Sequence, residues 1–176
     1  MQTNALKQLI HDRYAAAHGA APCADYPAYL TIGTPDDPVA TLGLRHAGAV
    51  PLFLERYLDR PIEQVLTEMA QRPVPRARIA ELGDHASRRS AATIGLWREA
   101  AAALAGQADY AVAVLTRPLR AMFARLDLPM IELAPARIEA LGGEGPRWGQ
   151  YYAADPVVCA GEVAEWHRRL DRAVRA

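Results

Sequence analysis

The stretch Ile79-Ala80-Glu81-Leu82-Gly83-Asp84-His85-Ala86-Ser87-Arg88-Arg89-Ser90 decides how this chain is read. Arg76 to Leu82 has the apolar content of a strand, Gly83 opens a polar segment, and an alanine-rich run from Ser90 to about Ala105 predicts a helix that stops at Gly106. A strand breaking into a polar junction ahead of a long helix delivers two serines and two arginines to a place where free backbone N–H groups and the helix dipole converge. Such a place holds oxyanions. The expectation is a strand ending near Gly83, a loop through Asp84 and His85, and a candidate site at that junction. Asp84 and Ser87 are alternatively plain N-caps for the following helix.

On the C-terminal side, Tyr110 to Thr116 is an almost unbroken Ala/Val/Leu run, the mark of a strand buried on both faces near the middle of a sheet. Arg117 to Leu126 predicts a helix with Pro118 in its first turn, and Met130 to Leu133 a further strand. Gly142 to Pro146 reads as a flexible loop, Trp148 to Tyr152 as an aromatic segment, Val157 to Ala160 as a last short strand, and Glu162 to Arg175 as a helix.

On the N-terminal side, Leu6, Leu9, Ile10, Tyr14 and Ala17 recur at helical spacing in a helix from Asn4 that ends near Gly19. Tyr29 to Gly33 and Val39 to His46 flank the turn residues Pro35-Asp36-Asp37-Pro38 and predict an antiparallel hairpin. Pro51 to Asp59 is a short irregular or helical piece, and Pro61 to Arg72 a helix closed off by Pro73 and Pro75. Hairpin, then helices alternating with strands, describes a mixed sheet with helices on its faces: an α/β fold of one domain over residues 1–176.

Composition narrows the function classes. With 51% hydrophobic and 23% charged residues, the 176-residue chain has the makeup of a globular protein with a real core. A formal net charge of zero provides no global field for nucleic acid or anionic lipid, although arginine is locally dense between Arg72 and Arg98. Cys23 and Cys159 are far apart and outside any metal spacing, which, without a signal-like N-terminal segment, predicts reduced thiols, no metal and a cytoplasmic setting. No apolar run approaches the ~20 residues of a membrane-spanning helix. The G-x-S-x-G elbow, Walker loop, G-x-G-x-x-G and H-E-x-x-H patterns are all missing, which removes the corresponding hydrolase, nucleotide and zinc-protease readings.

The remaining chemistry gathers on the opening stretch. Glu81, on a strand heading for the middle of the sheet, must be paired or hydrogen-bonded to be buried, and Arg45, Arg88 and Arg89 are its expected companions. The structural alternative is an ion pair that only fastens the sheet. His85 and Asp84 are further acid–base candidates, weighed against a solvated histidine and a cap. Trp148, Tyr151 and Tyr152 either line an apolar pocket or form a satellite core.

Several blocks carry a resemblance. Leu52-Phe53-Leu54-Glu55-Arg56-Tyr57-Leu58-Asp59-Arg60-Pro61-Ile62-Glu63, Ile79-Ala80-Glu81-Leu82-Gly83-Asp84-His85-Ala86-Ser87 and Trp148-Gly149-Gln150-Tyr151-Tyr152 before Asp155-Pro156-Val157-Val158 resemble, in order, the bacterial thermostable hemolysin family from about residue 28 to 165. That family's second block usually runs Glu-Val-Gly-Asn-Leu-Ala-Ser, and Asp84-His85 replace its Asn-Leu. Thr41-Leu42-Gly43-Leu44-Arg45, Pro51-Leu52-Phe53-Leu54 and Glu81-Leu82-Gly83-Asp84 are more remotely similar to blocks of the acyl-homoserine-lactone synthases and, through them, the GNAT acyltransferases. Asp84 stands where the synthase motif ends in arginine, so S-adenosylmethionine use and lactone formation are not implied.

What the resemblance does imply is a GNAT-like single domain that moves an acyl group from a thioester donor, acyl-CoA or a phosphopantetheine-bearing acyl-carrier protein, to a small amine or hydroxyl acceptor. Glu81 is then the base or acceptor-binding carboxylate, with His85 and Asp84 beside it. Arg45, Tyr57, Trp148 and Tyr151 would line the substrate cleft. Arg88, Arg89 and Ser90 would hold donor phosphate in place of the missing Arg/Gln-x-x-Gly-x-Gly/Ala loop. The alternative is a membrane-active or lipid-binding protein, for which the only basic helix is the last, with Arg168, Arg169, Arg172 and Arg175.

Overall fold

Among the described residues, the alternation of short apolar runs with alanine- and leucine-rich stretches is realised as six strands and five helices. In a computed structural model, which describes residues 4–22, 26–48 and 50–175, they follow the order α1 (Asn4–His18), β1 (Ala28–Gly33), β2 (Pro38–His46), α2 (Ile62–Ala70), β3 (Ile79–Ser87), α3 (Ser90–Leu104), β4 (Tyr110–Leu115), α4 (Arg117–Arg125), β5 (Ile131–Pro135), β6 (Val157–Glu162) and α5 (Val163–Arg175). Short 3₁₀ turns at Phe53–Tyr57 and Arg76–Arg78 flank α2, and two more, Ile138–Trp148 and Tyr151–Ala154, lead into β6.

The strands form one mixed sheet in the order β1-β2-β3-β4-β6-β5. Every neighbouring pair is antiparallel except β3 and β4, which run parallel through the α3 crossover. One face packs Ala80, Leu82, Ala111 and Ala113 beneath α3, α4 and α5, where Trp97, Phe123 and Trp166 meet edge to face. The other packs Ile79, Tyr110, Val112, Val158 and Ala160 against α2 and the Phe53–Tyr57 turn, while Leu6, Leu9 and Ile10 of α1 cover Ala86. That turn is fastened from outside by Arg76, which donates to both Glu55 and Glu63 at 2.7 Å.

Two expectations are corrected. Strand β3 does not stop at Gly83 but continues to Ser87, because Asp84 and His85 are accommodated as a bulge: Gly43 faces Gly83 and Thr41 faces Ala86, so two β3 residues oppose Leu42 alone. Gly142 to Pro146 is not a free loop but part of a 3₁₀ segment kinked at Gly142, where φ is 52°. The last short strand expected at Val157 to Ala160 is β6, extended to Glu162: it is paired with β4 along its whole length and with β5 from Val157 to Ala160, which leaves the shorter β5 at the sheet edge.

Cys159 is buried, and burial pushes its thiol up to about 12, whereas Cys23 lies outside the described residues. The last helix has no apolar face to spare among the described residues. Val163, Trp166 and Leu170 are in the core, and Arg168 and Arg169 pair with Glu165, Arg169 also with Asp127. The side chain of Arg175 lies outside the described residues. No helix among those described is long and apolar enough to cross a membrane.

Candidate functional site

The parallel ladder between β3 and β4 lasts for four residues, Ile79↔Tyr110 to Leu82↔Ala113, and then the strands part. On its other edge β4 stays paired with β6 out to Leu115↔Val157, so it is β3, carried on by its bulge and bonded to β2, that diverges. A cavity of about 380 Å³ opens in the gap, lined by β3 from Glu81 to Ser87 and by β4 and its exit from Ala113 to Thr116. This is the size of a small-molecule site. Its walls come from both faces of the sheet: Tyr14, Tyr26, Phe53, Tyr57, Trp148 and Tyr151 on the α1 side, and Leu42, Leu82, Trp97 and Leu119 on the α3 side.

Alternation along β3 sends Glu81 to the α1 side, where it is 1% exposed. Its carboxylate accepts the backbone N–H groups of Phe53 (3.1 Å) and Leu54 (2.8 Å), and Arg45, its register partner on β2, stands 3.7 Å away. Burial nevertheless wins: Glu81 is held above the usual carboxylate range, with the Leu54 and Phe53 N–H groups and Arg45 only partly offsetting that loss of water. The Arg45 guanidinium lies over the Tyr26 ring, 5.0 Å from its centroid.

Tyr26, which sequence reading passed over, is what the two facing glycines are for. A Cβ on Gly43 would come within 2.5 Å of the Tyr26 ring, and one on Gly83 would collide with its hydroxyl, so the Gly43–Gly83 pair is a bare floor on which the ring rests. Burial, reinforced by Glu81 and Asp84, keeps the Tyr26 phenol protonated far above its ordinary range.

The bulge resets the phase of the strand. Asp84 adopts φ 47°, turns to the α1 side with Gly83, and accepts a 2.6 Å bond from the Tyr29 hydroxyl. His85 thereby faces α3, its ring 6.1 Å from that of Trp97, and Ala86 returns to α1. Burial drives His85 down to about 4, so its imidazole is neutral near pH 7. Asp84 is thus not a helix cap. Nor is Ser87: it closes a turn with Arg89 through its hydroxyl, and the residue in the capping position, Arg89, provides no side-chain cap.

Of the residues expected to bind substrate, Tyr57, Trp148 and Tyr151 line the cavity and Arg45 lies behind Glu81. Trp148 and Tyr151 are also core residues, ring centroids 5.1 Å apart, so the pocket and satellite-core readings describe one cluster. The Tyr57 and Tyr152 hydroxyls meet at 2.5 Å. Arg88, Arg89 and Ser90 do not line the cavity: all three are exposed, and Arg88 pairs with Asp37 at 2.7 Å. Of the two serines and two arginines expected at the junction, only Ser87 reaches it. Among the described residues no group of three His, Cys, Asp or Glu side chains is placed to hold a metal ion.

Solved structures with this architecture include BjaI, a CoA-dependent acyl-homoserine lactone synthase solved with SAM and isopentyl-CoA, at TM-score 0.64 and 14% identity over 96% of this chain and 81% of that one. FeeM, an N-acyl amino acid synthase from uncultured soil microbes, matches at 0.62 and 16% over 94% and 93%. The acyl-homoserine-lactone synthase LasI matches at 0.55 and 16% over 81% and 68%. At these identities the likeness is one of fold. No curated protein matches the chain. The family model for thermostable hemolysin matches residues 1–167, nearly the whole length, and the chain belongs to the thermostable hemolysin family.

Proposed function

We propose that this protein transfers an acyl group from a thioester donor, acyl-CoA or acyl-carrier protein, to a small amine or hydroxyl acceptor. The observation that carries the reading is the parting of β3 and β4 beside a buried carboxylate, with a cavity that joins both faces of the sheet. A gap of this form admits a donor arm along the free edge of β4, where the backbone beyond Ala113 has no β3 partner and can offer N–H groups to a thioester carbonyl. Attack by the acceptor nitrogen or oxygen on that carbonyl carbon forms the new C–N or C–O bond, breaks C–S, and releases the thiol after it gains a proton. Most of the acceleration would come from holding donor and acceptor together.

Glu81 serves as the base on the acceptor, its affinity for a proton raised by burial. His85 does not share that proton: it lies four residues on, within the bulge, and faces the other side of the sheet, toward Trp97. Asp84, bonded to Tyr29, adds negative charge beside the acceptor. The soluble donor forms share a phosphopantetheine arm, and the exposed Arg89 and Ser90 at the start of α3 are offered as contacts for its phosphate. FeeM and BjaI are acyl-transferring synthases of the same fold, which supports the reaction class. Incubation of the purified protein with acyl-CoA and acyl-carrier thioesters and a panel of amines, with thiol release as readout, tests the reading. Release that requires both protein and acceptor is expected; none with any donor, together with no binding of coenzyme A or pantetheine, refutes it.

A further inference from the structure

On the α1 side the cavity is walled by rings. Trp148 and Tyr151 stand 5.1 Å apart between centroids, Tyr14 stacks on Tyr151 at 6.2 Å, and Phe53 meets Trp148 at 5.8 Å; all four line the cavity. Into the same half the β3 bulge turns Asp84, so that it shares a side of the sheet with Glu81, three residues earlier, and both carboxylates line the cavity. Burial above all, with the charge of Asp84 among the lesser causes, holds the phenols of Tyr14, Tyr26 and Tyr151 above their ordinary range, so three rings stand within the field of that one carboxylate. One face of this group already carries a cation: the Arg45 guanidinium lies 5.0 Å from the Tyr26 centroid.

Ring faces are the negative side of an aromatic group, and a carboxylate set among them makes a chamber that favours cations and repels anions. The basic side chains lining the cavity do not reverse that sign on the α1 side: Arg13 is exposed, and burial lowers the His18 affinity for a proton, which leaves its imidazole neutral near pH 7. We propose that the acceptor is a diamine or polyamine, whose reacting amine meets Glu81 while a second ammonium lies against the Tyr14 and Tyr151 rings beside Asp84. This rests on the acyl-transfer reading and specifies its acceptor class. The reacting amine, in its neutral form, attacks the thioester carbonyl carbon; a C–N bond forms, C–S breaks, the nitrogen's proton passes to Glu81, and the thiolate leaves and is protonated. The distal ammonium keeps its charge throughout and serves only to hold the acceptor in place. An amino acid presented to the same chamber would bring a carboxylate toward two buried acids, which costs binding.

The test compares three amines of one shape, 1,4-diaminobutane, n-pentylamine and 5-aminopentanoate, which end in an ammonium, a methyl group and a carboxylate. Their equilibrium binding is measured on the full chain with a non-reactive thioether analogue of acyl-CoA in place of the donor, and repeated with spacers one methylene shorter and one longer. At the best spacer the diamine is expected to bind about tenfold or more tighter than the alkylamine, and the amino acid weakest of the three. The wild-type comparison needs no substitution. In Asp84→Asn, where asparagine accepts the positive φ readily, the ratio of diamine to alkylamine affinity should fall toward one, and in Tyr14→Leu it should fall part of the way, each a comparison internal to the variant. Equal affinities for diamine and alkylamine at every spacer, tightest binding by the amino acid, or a ratio unchanged in Asp84→Asn overturns the inference. Thiol release that proceeds equally well with alkylamine and diamine overturns it too, and leaves the acyl-transfer reading standing. Absence of thiol release from every donor, alongside a preserved preference for the diamine in binding, refutes the transferase reading and leaves the recognition intact.

Discussion

The carboxylate of Glu81 accepts two backbone N–H groups and faces Arg45, yet burial still makes it hold its proton more tightly than a carboxylate in water. Two consequences run in opposite directions. For the reaction the ionised form is the base, so the rate should fall as pH drops through the raised value, and Glu81→Gln should lose about 10²-fold or more in kcat together with that acid limb of the profile. For the fold the protonated form is favoured, so Glu81 contributes stability that is complete below its unfolded value near 4.5 and is lost as pH rises through the raised folded one. His85 works the other way: kept neutral down to about 4, it stabilises above its unfolded value of 6.5 and loses that contribution as pH falls through the window between. Comparing wild type with Glu81→Gln by denaturation from pH 4 to 8 cancels the His85 part. A carboxylate that only anchors the Phe53–Tyr57 turn would change the stability curve and leave the shape of the rate profile untouched.

At the scale of elements, β3 is the strand that makes the site, and its bulge is the device. Without the extra residue, Asp84 would turn toward α3 and His85 toward α1, and neither the Tyr29 bond nor the His85–Trp97 approach would form. The bare Gly43–Gly83 floor next to it should be intolerant of a methyl group. Gly43→Ala should cost about 1–3 kcal/mol by overpacking against Tyr26 and should weaken donor-analogue binding, since the displaced ring lies in the cleft; an unchanged denaturation midpoint would show that Tyr26 shifts freely. Most elements were legible because hydrophobic period and Pro/Gly punctuation agreed, as in Arg117–Arg125 with Pro118 or the hairpin around Pro35–Pro38. The run Gly83-Asp84-His85 was not legible, because a bulged strand has the polar, glycine-containing composition of a loop and only the partner strand reveals the pairing. Glu81 and Arg45 were legible as a buried charge needing a partner. Tyr26 and Trp97 were not: each matters through a neighbour distant in sequence, a pair of glycines in one case and a histidine in the other.

At the scale of the molecule, the sheet consists of two three-stranded halves, β1-β2-β3 and β4-β6-β5, sewn together by four parallel residue pairs. Helix α3 packs on the first half and α5 on the second, and the two helices meet where Trp97 contacts Trp166. The cavity lies on this seam, so an occupant touches both halves at once and adds to a junction that is otherwise short. A ligand that binds the folded state alone stabilises it by about 2.7 kcal/mol at a hundred times its Kd, and in a chain of this size each kcal/mol moves Tm by roughly 2–4 °C. A bound thioether analogue should therefore raise Tm by roughly 5–10 °C. Hydrogen exchange should locate the gain, slowing at Ala80–Leu82 and Ala111–Ala113 across the ladder more than in the outer strand β1, which contributes no residue to the cavity wall. Protection that spread evenly through the chain, or a Tm unmoved at saturating analogue, would mean that the gap between β3 and β4 is not where the donor binds.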